Sequence, residues 1–160
     1  MNHLPKGLNT ATPYLIMHDA VAAIEFYKTV FGAQELVRLP GPDGKIAHCE
    51  IKLGDSVIML ADEFPGIVAF SPKALGGSSV SILLYVEDVD ATVKRAVDTG
   101  AKIIQPVEDK FYGDRAGTLM DPFGHQWNVA THKEDVSPEE LQRRSISMYE
   151  EYTRLVAQAG

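Results

Sequence analysis

His48 and Glu50 stand two residues apart in Ile46–Leu53, a segment of strand length, so their side chains share one face. An imidazole beside a carboxylate can supply two ligands to a metal ion, can move a proton, or can form a hydrogen-bonded polar pair. The opposite face of the same segment carries Cys49, Ile51 and Leu53, so the lone cysteine reads as a buried thiol rather than a nucleophile. Gln126 and Asn128 alternate with Trp127 and Val129 in the same way, giving one apolar face and one that is polar but uncharged. Asp114-Arg115 offers a planar guanidinium suited to a ligand carboxylate or phosphate, or else a structural ion pair that holds a loop. Tyr112, within Phe111-Tyr112-Gly113, sits in the kind of aromatic loop that closes over ligands, and Tyr14 offers a ring wall and a hydroxyl. His18 lies beside a helix cap and His125 beside a tight turn, where local hydrogen bonding is the simpler role. No Ser-His-Asp set and no phosphate-binding glycine loop is present; Gly76-Gly77 falls in a connector.

The elements that hold these residues repeat. Thr12–His18 has strand character, and Asp19 caps a helix whose stripe is Ala20, Ala23, Ile24, Tyr27, Val30 and Phe31, ended by Gly32. Strands follow at Gln34–Leu39, Ile46–Leu53 and Ser56–Ala61, the last two joined by Gly54-Asp55. Glu63–Ser79, rich in Pro and Gly, is a connector. The order then returns: strand Val80–Val86, cap Asp88, a helix with Val89, Val93, Ala96 and Val97 on one face, Gly100, and strand Lys102–Val107. Strands Arg115–Met120 and His125–Thr131 close it around Asp121-Pro122-Phe123-Gly124, which has the residues of a type I turn. Met17-His18-Asp19 aligns with Val86-Glu87-Asp88, so the chain holds two β-α-β-β-β modules. The expected fold is α+β: two βαβββ modules forming a curved mixed sheet around a cavity, plus a C-terminal helix. Residues 1–10 are an arm, 11–132 the domain (modules 11–62 and 80–132), and 133–160 a tail. In that tail Ser137-Pro138-Glu139-Glu140 is a capping box, followed by Leu141, Met148, Tyr152 and Leu155 at helical spacing.

The bulk composition sets limits. The chain has 160 residues and a net charge of −7 with no basic cluster, which argues against nucleic acid and anionic membrane surfaces. One cysteine excludes an internal disulfide and a multi-cysteine zinc site. No apolar leader or membrane-length run is visible, so the cytoplasm is the expected location.

The paired modules, with Gly-Asp-Ser-Val-Ile-Met-Leu in the first and Gly-Asp-Arg-Ala-Gly-Thr-Leu-Met-Asp-Pro-Phe-Gly-His-Gln-Trp in the second, resemble the vicinal-oxygen-chelate superfamily. Within it they are similar to the PhnB-like branch of glyoxalase/bleomycin-resistance proteins, over about residues 11–132. The resemblance implies one divalent metal held by His, Glu or Gln from both modules. The matching positions here are Thr12, Met59 (Ile58 if the register slips), Ser81 and Asn128. A hydroxyl and a thioether are poor ligands for such ions, so the expected cavity is metal-free, with no cofactor. The expected function is metal-independent binding that sequesters a small organic ligand, with Tyr14, His48, Glu50, Tyr112, Arg115, Gln126 and Asn128 as candidate contacts. The alternative is a lyase, isomerase or dioxygenase that uses a displaced metal or acid–base residues such as His48 and Glu50. The resemblance also implies a homodimer, with Met148, Tyr149 and Tyr152 available for contact; whether the modules pair within a chain or across two stays open.

Overall fold

A computed structural model describes residues 3–159; of the expected N-terminal arm, residues 1 and 2 lie outside this range. The order is β1 (Tyr14–Met17), α1 (Ala20–Phe31), β2 (Gln34–Pro40), β3 (Ile46–Leu53), β4 (Ser56–Asp62), α2 (Pro72–Leu75), β5 (Ser81–Tyr85), α3 (Val89–Asp98), β6 (Lys102–Asp109), β7 (Asp114–Met120), β8 (Gln126–His132) and α4 (Pro138–Ala159). The fold is α+β, with two four-stranded mixed sheets of orders β1-β4-β3-β2 and β5-β8-β7-β6. Each pairs its opening strand in parallel with its closing strand, β1 with β4 and β5 with β8.

Local chemistry explains the helices. Asp19 Oδ1 accepts from Ala22 N at 3.0 Å and Asp88 Oδ1 from Ala91 N at 2.9 Å, so each module caps its helix with an aspartate. Gly32 ends α1 at φ 69°, a left-handed conformation in which its N–H reaches Lys28 O and that of Ala33 reaches Tyr27 O.

Several boundaries differ from the sequence reading. β1 begins at Tyr14 rather than Thr12, because Pro13 has no N–H and Thr12 Oγ1 donates locally to Asn9 O. β6 runs to Asp109 despite Pro106, which an edge strand tolerates at a register shift. The connector contains α2, a single turn whose Ser71 side chain accepts from Ala74 N. Ser137 Oγ does accept from Glu140 N, but Glu140 turns its carboxylate to Arg143 and Arg144 instead of back to the cap.

The core is shared. Met17, Ile24, Tyr27, Val30, Cys49, Ile51 and Leu60 of the first module join Val89, Val93, Ala96, Leu119, Trp127 and Val129 of the second in one buried cluster. Trp127 lies 5.2 Å from Tyr27 and 4.8 Å from Phe31, ring centre to ring centre. Arg95 of α3 donates twice to Val30 O, at 3.0 and 2.8 Å, satisfying a carbonyl at the end of α1. Both helix-bearing sheet faces thus look into a common interior. The two other faces must look outward, back to back, and no strand pairs across the modules among the described residues.

Candidate functional site

The carboxylate of Asp121 joins the two modules. At 3% exposure it is buried, and Oδ1 accepts from the N–H groups of Phe123 and His125 at 2.9 Å each. Oδ2 accepts from Tyr27 Oη at 2.6 Å and Trp127 Nε1 at 3.0 Å. Four donors from two modules balance the cost of burying the charge. Burial and the adjacent Asp121 charge push the Tyr27 phenol well above its ordinary value. His125, expected to bond locally, reaches instead across the modules, Nε2 to Ile16 O at 3.1 Å. Trp127 is fully buried, as its apolar face implies.

The outward face of the first sheet gathers Tyr14, His48 and Glu50, with Met59 opposite both Tyr14 and Glu50 in the strand register. Tyr14 Oη is 2.9 Å from His48 Nδ1, and His48 Nε2 is 3.4 Å from Glu50 Oε1. A carboxylate accepts, so in the neutral ring Nε2 carries the proton and Nδ1 accepts from the phenol. Burial raises the Tyr14 pKa. Val37 and Leu39 pair with Glu50 and His48 across β2–β3 and add exposed apolar surface to this face.

On the second sheet the outward face holds Asn128. Its Oδ1 accepts from Thr118 Oγ1 at 2.7 Å and its Nδ2 donates to Ser81 Oγ at 2.9 Å. A depression of about 280 Å³ is lined by Leu83, Tyr85, Tyr112, Asp114, Thr118 and Asn128, among others. At its end Asp114, 5% exposed, accepts from Tyr85 Oη at 2.8 Å and His132 Nδ1 at 2.8 Å. His132 Nε2 bonds Asp135 at 3.0 Å, and the hydrogen bonds to Asp114 and then Asp135 raise the pKa of the ring. The sequence marks neither Tyr85 nor Thr118, and Asp114 only as a partner for Arg115. Their signal is the alternation of β5 and β7 against Asn128: Leu83 and Thr118 are its register partners.

Of the seven candidates, Tyr14, His48 and Glu50 come together on one sheet and Tyr112 and Asn128 on the other. Gln126 lies at the start of β8, paired with Ser81 and Met120, and shares the face of Asn128. Arg115 does not join them. Its fork grips Asp90 of α3 at 2.7 and 2.8 Å and Asp109 at 3.2 Å, which makes it a structural clamp on the helix side. The pairing is structural as one sequence reading had it, but with other aspartates than Asp114.

A larger cleft, about 800 Å³, opens between β5 and the β3–β4 turn and is lined by Leu53–Ile58, Ile82–Asp88, Thr92 and Arg95 among others. Arg95 is already committed to Val30 O, and none of the Tyr14–His48–Glu50 or Asn128–Thr118 groups reaches the cleft. The outward faces carry the hydrogen-bonded polar groups and are therefore the candidate site.

The sequence profile of the glyoxalase/bleomycin resistance protein/dioxygenase superfamily matches residues 7–129. The chain belongs to this superfamily. Among superfamily relatives, an uncharacterised protein of Mycobacterium bovis is 42% identical over 134 residues, covering 82% of this chain and 88% of its own length. The crystal structure of an Arabidopsis thaliana protein is similar at 31% identity and TM-score 0.61, covering 77% of this chain and 98% of that one. TioX from Micromonospora sp. ML1 is similar at 27% identity and TM-score 0.60, over 76% and 98% of the two chains.

The superfamily's metal does not fit the residues found here. Thr12 lies outside β1, Met59 offers a thioether, the Ser81 and Asn128 side chains are bonded to each other, and Asn128 also accepts from Thr118. Among the described residues no three of His, Cys, Asp and Glu gather as a metal-holding group. No described helix is long and apolar enough to cross a membrane.

Proposed function

We propose that this protein, of the PhnB-like branch, binds a small organic ligand by shape and hydrogen bonding, with no metal. The binding cavity is assembled from two protomers. The observation that carries this reading is the outward placement of two polar, aromatic-rimmed sheet faces that turn away from each other within one chain. A concave site then needs the first module of one protomer opposite the second module of another, in a homodimer. Tyr14, His48 and Glu50 supply one wall; Tyr112, Gln126 and Asn128, with Tyr85 and Thr118, supply the other. The phenols and the Asn128 amide suit a flat, oxygen- or nitrogen-bearing organic molecule. Such a protein sequesters its ligand, in the cytoplasm by the sequence reading, and needs neither nucleic acid nor membrane.

Thermal denaturation against a panel of aromatic and heteroaromatic compounds tests the reading, with and without chelator. A ligand at a hundred times its Kd adds about 2.7 kcal/mol of stability. The expected result is a chelator-insensitive rise in Tm that is lost in Tyr14→Ala and Asn128→Ala. A rise abolished by chelator, or stoichiometric metal in the purified protein, overturns it.

The Tyr14–His48–Glu50 chain favours a second reading, acid–base catalysis with His48 as the proton carrier. Turnover of a bound compound that His48→Gln abolishes, with binding retained, would establish it.

A further inference from the structure

A depression of about 330 Å³ lies apart from the outward faces and shares no residue with either proposed wall. Three segments meet around it: α2, the step from α3 into β6 at 100–102, and the turn at 120–124. Gly124 keeps φ at 92°, and a Cβ there would lie 2.9 Å from Pro72 Cβ, so α2 sits directly on the turn. A Cβ on Gly100 would touch Pro122 Cγ at 3.5 Å, and Lys102 is the register partner of Met120. The fully buried Ser71 fixes the connector by donating its N–H to Glu63 Oε2 at 2.9 Å. The depression is thus preformed, as small-molecule sites commonly are.

Its unpaired charges are positive, in a chain of net charge −7. Lys73 and Lys102 line it, and neither enters an ion pair or a side-chain hydrogen bond among the described residues. Asp121, the acid in the lining, has both oxygens engaged by the four donors described above. The acids adjoining these segments are engaged too: Asp19 caps α1, Glu63 holds Ser71, and Asp98 pairs with Lys94. His18 completes the rim, its ring centre 5.7 Å from that of Phe123. It does not make the local hydrogen bond that the sequence suggests. Among the described residues, its Nδ1 is the single buried side-chain nitrogen or oxygen without a partner. A buried N–H without an acceptor is the rarer omission, so the neutral ring keeps its proton on Nε2, which is likewise unbonded.

Two ammonium groups and an imidazole N–H suit a partner with more than one negative charge and several acceptor oxygens. A phosphate monoester carries about −1.5 to −2 at neutral pH on three such oxygens, whereas a carboxylate answers only one lysine. Met120, Pro122 and Phe123 offer apolar surface to the rest of the molecule. We infer that the His18–Lys73–Lys102 pocket binds a small phosphate monoester, its phosphate between the lysines and the His18 N–H, its organic part against Phe123 and Pro122. The two-protomer cavity proposed above uses none of these residues, so either reading can fail without the other.

Calorimetric titration of the full-length protein with phenyl phosphate at low ionic strength tests it. The expected result is saturable binding at one site per chain, weakened by added salt. Lys73 and Lys102 are exposed, so their substitution spares the fold. Lys73→Gln and Lys102→Gln should each weaken binding about fivefold. Arg154→Gln, which removes the same charge from α4, should leave it unchanged. Inorganic phosphate, which lacks the ring, and benzoate, which lacks the second charge, should each bind more weakly than phenyl phosphate. In proton NMR the ligand should shift the ring signals of His18 and leave those of His48 in place. Absence of saturable binding, equal affinity for inorganic phosphate, binding untouched by both lysine substitutions, or shifts at His48 instead of His18 would each overturn the inference.

Discussion

Asp121 shows how one side chain can hold two modules in place. Its turn would form with any short polar residue at that position, but only a carboxylate meets Tyr27 Oη, Trp127 Nε1 and two backbone N–H groups together. Asp121→Ala should cost about 3–5 kcal/mol, because it strands buried donors on both modules. Tyr27→Phe should cost about 1–2 kcal/mol and add less than fully to it in urea unfolding. At the other end of β8, His132 lies between Asp114 and Asp135, so its folded pKa is above its ordinary 6.5. Stability from this contact is whole below that ordinary value and is lost as pH rises through the raised folded one. Proton NMR titration should place the His132 midpoint above 6.5, and Asp114→Asn should bring it back down.

Elements were legible in the sequence wherever a local rule and a period agreed. Asp19 and Asp88 cap, Gly32 stops, and Gly54-Asp55 turns a hairpin, each through contacts within a few residues. The two polar strand faces were legible for the same reason, since alternation fixes a side chain's face. What lies on that face from another strand needs the register, which is why Tyr85 and Thr118 were missed beside Asn128, and why Asp114 was read only as a partner for Arg115. Arg115 was legible as a pairing group but not in its partner, because Asp90 is brought to it only by the packing of α3. The Tyr112 loop depends on Gly113, held at φ 97° with its carbonyl accepting from both Lys133 and Glu134 N–H groups at 3.0 Å. A Cβ there would lie 2.9 Å from Val136 Cγ2 and overlap the Glu134 carbonyl. Gly113→Ala should therefore cost about 2–4 kcal/mol and release the loop, read as faster hydrogen exchange around Tyr112.

For the whole molecule, the back-to-back sheets make a complementation experiment decisive. Tyr14→Ala damages only the first wall and Asn128→Ala only the second. Each variant alone should bind no ligand, while each mixed dimer regains one intact cavity of two; about half the dimers of an equal mixture are mixed, so calorimetry should find about a quarter of the wild-type capacity. If every cavity lay within one chain, mixing would restore nothing. The same strand that presents Asn128 outward presents Trp127 inward, against Tyr27 and Phe31 of the other module. The chain's sole indole is thus a native optical reporter of the seam. Its emission should stay blue-shifted while the halves adhere and move to the red once they part, even if both sheets survive. A separation of the modules can therefore be followed by light alone, with no dye attached.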